Sequence, residues 1–225
     1  MPVSPLALPL SLALLASPPR ADVDAAALLR AGLGPEALAA AGLTAAEAGQ
    51  LVAAVAACDA AAGGDLAAAD AAFRDAMAVR NACAQLVRSG NATDEQKADY
   101  QAAKAAAEKA AAARDAVLDE LFAAGVADLA PAKQVKLARI RANRDRRGLP
   151  TELLVVERAP GEWLELRQGL QHEKVCLQDG EPVHPAVAAK LAAWRADPDV
   201  ATAKADLDAN LAAVTSAWKE ALQAQ

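Results

Sequence analysis

Large and reactive side chains are scarce in this 225-residue chain. It has three Trp, two Phe, one Tyr and two Met, and Ile140 is its single isoleucine. β-Branched and aromatic residues are what sheets draw on, so few segments qualify as strands. With so little large-side-chain volume, elements must pack by close approach of their backbones. Two His and three Cys supply few ligands for a metal and few bases for a nucleophile, and the odd cysteine count excludes a fully paired monomer. No apolar run reaches the roughly 20 residues that a transmembrane helix needs. Positive charge is outnumbered, 23 Lys and Arg against 29 Asp and Glu, for a net charge of -6. That balance argues against nucleic acid as the partner of the whole chain and against an anionic membrane surface.

Alanine is what the chain has most of, nearly a third of its residues. Alanine has the best helix propensity, and Leu, Glu, Gln, Lys and Arg follow closely. The fold class expected is all-α, with antiparallel helical hairpins and long Ala-rich helices forming a bundle of coiled-coil character. Three regions follow. Residues 1–21 read as a signal peptide or a disordered N-terminus: Leu6 to Ala16 is an apolar run of signal-peptide length, stopped by Pro18-Pro19, with Ala21 the best residue to precede a cleavage. Residues 22–90 read as an Ala-rich helical hairpin region and 91–225 as the main bundle. Export to the periplasm or cell envelope is expected.

Local signals place the helices. Thr44-x-x-Glu47 and Thr93-x-x-Gln96 are capping boxes, in which the Thr hydroxyl accepts from the third amide on and the Glu or Gln reaches back. Gly63-Gly64 predicts a tight connection between helices over 44–62 and 65–88, folded as an antiparallel hairpin. The helix from Thr93 can run to Phe122 and stop at Gly125, about 45 Å at 1.5 Å per residue. Pro131, Pro150, Pro160, Pro185 and Pro198 can each open a helix at its first turn. Trp163, Leu166, Leu170 and Leu177 form one predicted seam, which puts His172 and Cys176 on the wet face. Val200, Leu207, Leu211, Val214, Trp218 and Leu222 form another.

Chemistry is sparsely encoded, and no catalytic, cofactor-binding or metal residue is assigned. Gly32-Leu33-Gly34-Pro35 matches a relaxed dinucleotide fingerprint, but that motif works only after a strand, and Pro35 lacks the amide a phosphate would need. A helix C-cap followed by a helix-opening proline is the simpler reading. His172, Cys176 and His184, with Glu173 or Glu181, are the residues a zinc site or a thiol-dependent enzyme would use. Nothing in the sequence orients an imidazole among them.

Lys133, Lys136, Arg139, Arg141, Arg144, Arg146 and Arg147 form the dense charge run of the chain, with Asp145 the sole acid among them. No aromatic lies in it to stack a base, which argues against nucleic acid. A solvated helix end would account for it, because cations there offset the macrodipole. A contact surface for an acidic protein is the functional reading, and the run is the candidate partner-contact site.

Leu43-Thr44-x-x-Glu47 and Ala92-Thr93-x-x-Gln96, with Leu129-Ala130-Pro131-Ala132-Lys133 as a poorer third copy, resemble the Leu-Thr-x-x-Gln motif of Spy/CpxP-like exported helical proteins. The resemblance implies an exported helical protein that holds unfolded clients through a basic concave face. The expectation is a non-enzymatic protein acting by protein–protein contact. A Spy-like chaperone is the alternative, and a metal- or thiol-dependent enzyme the rival class.

Overall fold

The computed structural model describes residues 23–146 and 148–224. The predicted export segment, residues 1–21, lies outside the described residues, as does Arg147. The described chain is all-α and without strands. Its helices are α1 (Ala25–Ala31), α2 (Pro35–Ala40), α3 (Ala45–Ala61), α4 (Asp65–Arg88), α5 (Asp94–Val126), α6 (Pro131–Ala142), α7 (Pro160–Asp179), α8 (Pro185–Arg195) and α9 (Pro198–Gln223). A short 3-10 helix, Thr151–Val155, follows Pro150.

The helix starts obey their local chemistry. Thr44 Oγ1 accepts from the Glu47 amide while Glu47 Oε2 accepts from the Thr44 amide at 2.8 Å, and Thr93 and Gln96 repeat the arrangement. Five helices have proline in their first turn, where the missing N–H costs no hydrogen bond. Gly32 caps α1 in the left-handed region that disfavours side chains. Its amide bonds back to Leu28 and Leu29, and Gly34 then precedes Pro35. The glycine pair therefore joins two short helices, as the C-cap reading expects.

The core lies where alanine lets helices touch. α2 is nearly engulfed: Ala37 to Ala41 are all buried, under α9 and the 3-10 helix. α3 packs on α9 and on the C-terminal half of α5. Leu28, Leu33, Leu38, Leu43, Leu51 and Leu118 are among the fully buried side chains that fill this junction. α5 ends at Val126, one residue past the expected stop at Gly125, and Gly125 is buried so close to α3 that an added Cβ would stand 2.8 Å from Val55 Cγ2.

Two further expectations are corrected. The sequence places a hairpin at Gly63-Gly64, but α3 and α4 diverge there by 77°. Both glycines adopt φ of 80°, and buried Asp59 accepts from the Leu66 amide at 3.2 Å, which fixes a corner rather than a reversal. α4 instead pairs with α5, forming the antiparallel hairpin one connection later, across Ser89-Gly90-Asn91. On α7, Trp163 and Leu166 are buried as expected, but Leu177 is 72% exposed and Cys176 only 6%. The buried stripe steps from Leu166 through Gly169 to Cys176, so the seam rotates past Leu177. Gly169 allows this, because it lets α8 close in until Leu191 Cδ2 would lie 3.3 Å from an added Cβ.

Among the described residues no single helix is long and apolar enough to cross a membrane. α3 and α4 pass that test together by composition, but across the 77° corner.

Candidate functional site

The basic run spans α6 and the turn after it, and most of its cations face acids from distant elements. Lys133 Nζ donates to both Glu47 carboxylate oxygens at 2.7 Å, tying α6 to the capping box of α3. Burial alone would raise the Glu47 pKa. The Lys133 hydrogen bond, with the Thr44 amide and hydroxyl, outweighs it and holds the carboxyl below its ordinary value. Lys136 lies 3.6 Å from Asp206, and Arg139 lies 3.5 Å from Asp199. Arg141 pairs with Asp119, and its guanidinium carbon stands 4.5 Å from the Phe122 ring centroid. Burial pulls the Arg141 pKa down, and the charge of Arg144 adds to that, against the opposing pull of Asp119 and Asp115. These four cations bind the molecule's own elements together.

Arg144 and Arg146 differ. Among the described residues, no carboxylate lies within ion-pair distance of either. They sit on the turn after α6, which is held by its neighbours. Asn143 Nδ2 donates to the Leu154 carbonyl at 3.1 Å, and Arg139 Nη1 donates to the Val155 carbonyl at 3.3 Å. The Arg146 guanidinium carbon lies 5.7 Å from the Trp163 ring centroid, within cation–π range.

Both arginines line a cleft of about 580 Å³. Its apolar part comes from Leu29, Ile140, Leu154 and Leu211. Gly32, Gly34 and Pro35 bring the α1–α2 corner to its wall. Glu36 also lines it, accepting at 3.2 Å from Thr151 Oγ1. Arg144 also lines a second concavity of about 500 Å³, where Arg30 and Arg114 stand beside Asp115 and Asp145. The site is thus a largely apolar cleft with two cations at its border and the Glu36 carboxylate, bound by Thr151, in its lining. Of its residues, Arg144 and Arg146 were legible in the sequence. Leu29, Glu36 and Thr151 were not, and the Gly32-x-Gly34-Pro35 corner, explained as a cap, was the one local signal near them.

The thiol and imidazole candidates come partly together. Cys176 Sγ lies 3.6 Å from His172 Nε2, and the His184 amide stands 3.5 Å from the same nitrogen. His184 Nδ1 accepts from the Ala186 amide at 3.3 Å, so its ring serves as the N-cap of α8. Glu173 is paired in bidentate fashion with Arg195 at 2.6 and 2.9 Å. That hydrogen bonding outweighs burial and lowers the Glu173 pKa, while it raises that of Arg195. Among the described residues, no three His, Cys, Asp or Glu side chains cluster closely enough to hold a metal.

No known family, curated protein or solved structure matches the chain. The Thr44 and Thr93 motifs that carry the resemblance to Spy/CpxP-like proteins are both capping boxes here, so helix initiation accounts for their residue types and spacing.

Proposed function

We propose that the protein is a non-enzymatic binding protein, and that it engages an acidic segment of a partner protein through the cleft beside Arg144 and Arg146. The observation that carries this reading is the contrast within the basic run. Four cations are matched to internal acids, whereas Arg144 and Arg146 stand at the border of a largely apolar cleft with no ion-pair partner among the described residues. A cationic border on an otherwise acidic chain attracts an acidic partner and repels wrong ones. Exposed Leu29, at the same cleft, gives an aliphatic side chain of the partner a surface to bury. The run as a whole, Lys133 to Arg147, remains the proposed contact region, with Arg144 and Arg146 the residues that touch the partner. Site-specific photocrosslinking from Leu29 in the native host tests this. The captured proteins should cross-link through segments rich in Asp and Glu, and Arg144→Gln with Arg146→Gln should abolish capture. Capture that survives both substitutions, or that maps to basic segments, contradicts the proposal.

A second reading, the holding of unfolded clients, is favoured by Leu164, Val175 and Leu177, large apolar side chains left exposed along α7. It requires the purified protein to slow aggregation of an unfolded client without ATP. No slowing at any ratio of protein to client removes it.

A further inference from the structure

The α4–α5 hairpin lacks a covering layer. No residue from 67 to 102 is buried, and α4 packs chiefly on α5. The two helices meet through Phe73, Met77 and Arg80 on α4 and Tyr100, Lys104 and Ala107 on α5, beside a shallow groove of about 290 Å³. The broad face on that side is polar, carrying Lys104 and Glu108.

The opposite broad face is apolar. On α4, Ala72, Ala76, Val79, Cys83 and Leu86 recur at four- and three-residue steps, a heptad seam about 100° around the helix from the one that meets α5. On α5, Ala106, Ala110 and Ala113 continue the same side, with Glu95 and Asp99 the charges nearest in register with them, while Ala103 is buried. Val79 is 57% exposed and Leu86 53%. Two helices with adjoining seams on one face are half of a four-helix bundle.

We infer that a second copy of this chain covers this face, the two hairpins packing antiparallel into a four-helix bundle. The inference does not rest on the acidic-partner reading, because it uses a different surface. Three observations select the occupant. The first is charge. Residues 67–110, the part of the hairpin beyond the body, hold six basic and six acidic side chains, so this stretch is neutral although the chain carries -6. Two copies can pair here without the repulsion that their bodies would meet.

The second is shape. With a two-fold axis at Val79, Ala72 lies opposite Leu86, and Cys83 falls one residue out of level with Ala76, so small faces large along the seam. A parallel pairing sets Leu86 on Leu86 and Ala72 on Ala72, which crowds one end and leaves a void at the other. The antiparallel arrangement also sends the two acidic bodies to opposite ends. The third is area. The 22 helical residues of α4 from position 67 run about 33 Å. Across two helices, each roughly 10 Å wide, the face buries about 1,300 Å² in total, within the range of stable interfaces.

Sedimentation of the full chain at micromolar concentration tests the pairing, with oxidative cross-linking to read its register. The wild-type chain is expected at twice the chain mass. Val79→Glu with Leu86→Glu, both at exposed positions, should halve that mass and leave helical circular dichroism unchanged. Val79→Cys should form a 79-to-79 bridge between copies on mild oxidation. Native Cys83 should not bridge to its counterpart, because the antiparallel register offsets the two by eight residues, about 12 Å, beyond disulfide reach. A monomeric wild type, including one that pairs only with a different protein, overturns the inference. So does a dimer indifferent to the double substitution, or an 83-to-83 bridge in place of the 79-to-79 one. If the double variant loses helicity, the Val79→Cys mapping decides. Arg144→Gln with Arg146→Gln should leave the mass at the dimer value, which separates this inference from the proposed function.

Discussion

Trp218 Nε1 donates a buried hydrogen bond of 3.1 Å to the carbonyl oxygen of Leu33, joining residues 185 positions apart. It ties the end of α9 to the corner between α1 and α2, and that corner forms one wall of the cationic cleft. Trp218→Phe keeps most of the ring volume but leaves a buried carbonyl without its donor. The expected loss is about 1–3 kcal/mol of unfolding free energy, read as a lower urea midpoint. An unchanged midpoint would mean that this contact does not hold the corner.

Gly125 is expected to resist the substitution that helix propensity favours. In an exposed helix, Gly→Ala gains about 1 kcal/mol. Here the new methyl would stand 2.8 Å from Val55 Cγ2 and 3.3 Å from Leu51 Cγ. Val55 is β-branched and held to one rotamer in a helix, so α3 and α5 must separate. Overpacking costs about 1–3 kcal/mol, and Gly125→Ala should therefore lower the melting temperature. A higher melting temperature would show that the α3–α5 approach is looser than described.

Acid should weaken the fold through two carboxylates. Glu47, beside Lys133 and Thr44, and Glu173, beside Arg195, both have pKa values lowered in the folded state. Stability from a depressed carboxyl is fully present above its unfolded pKa of about 4.3. It is lost as pH falls through the lower folded value. Urea midpoints measured from neutral pH downward should fall below about pH 4, and Glu47→Gln with Glu173→Gln should flatten that decline. Equal slopes for both proteins would remove these pairs as the source of acid sensitivity.

Helix positions were legible because their signals are local. Capping boxes at Thr44 and Thr93, first-turn prolines and the Gly32 cap each act within a turn of their own residue. Packing was less legible for the opposite reason. Alanine reads the same whether buried, as from Ala37 to Ala41, or exposed, as at Ala106, so the sequence could not show that α2 lies at the centre. The Gly63-Gly64 corner depends on the Asp59 carboxylate, whose bond to the Leu66 amide no periodicity reveals. The basic run looked uniform in sequence. Its division into bound and unmatched cations depends on Glu47, Asp119, Asp199 and Asp206, which reach it only through the fold.

The proposed function rests on that division, and a peptide titration tests it most directly. Trp163, beside Arg146, supplies a fluorescence signal near the cleft. The probe is a peptide alternating Glu with Leu, and the control replaces each Glu by Gln. The account predicts saturable binding of the acidic peptide alone. The binding should weaken as salt rises, since exposed charge is screened over about 8 Å at physiological ionic strength. It should be lost in Arg144→Gln with Arg146→Gln, whereas Lys133→Gln leaves it intact. Equal binding of both peptides, or binding indifferent to salt and to the arginine pair, would contradict the account.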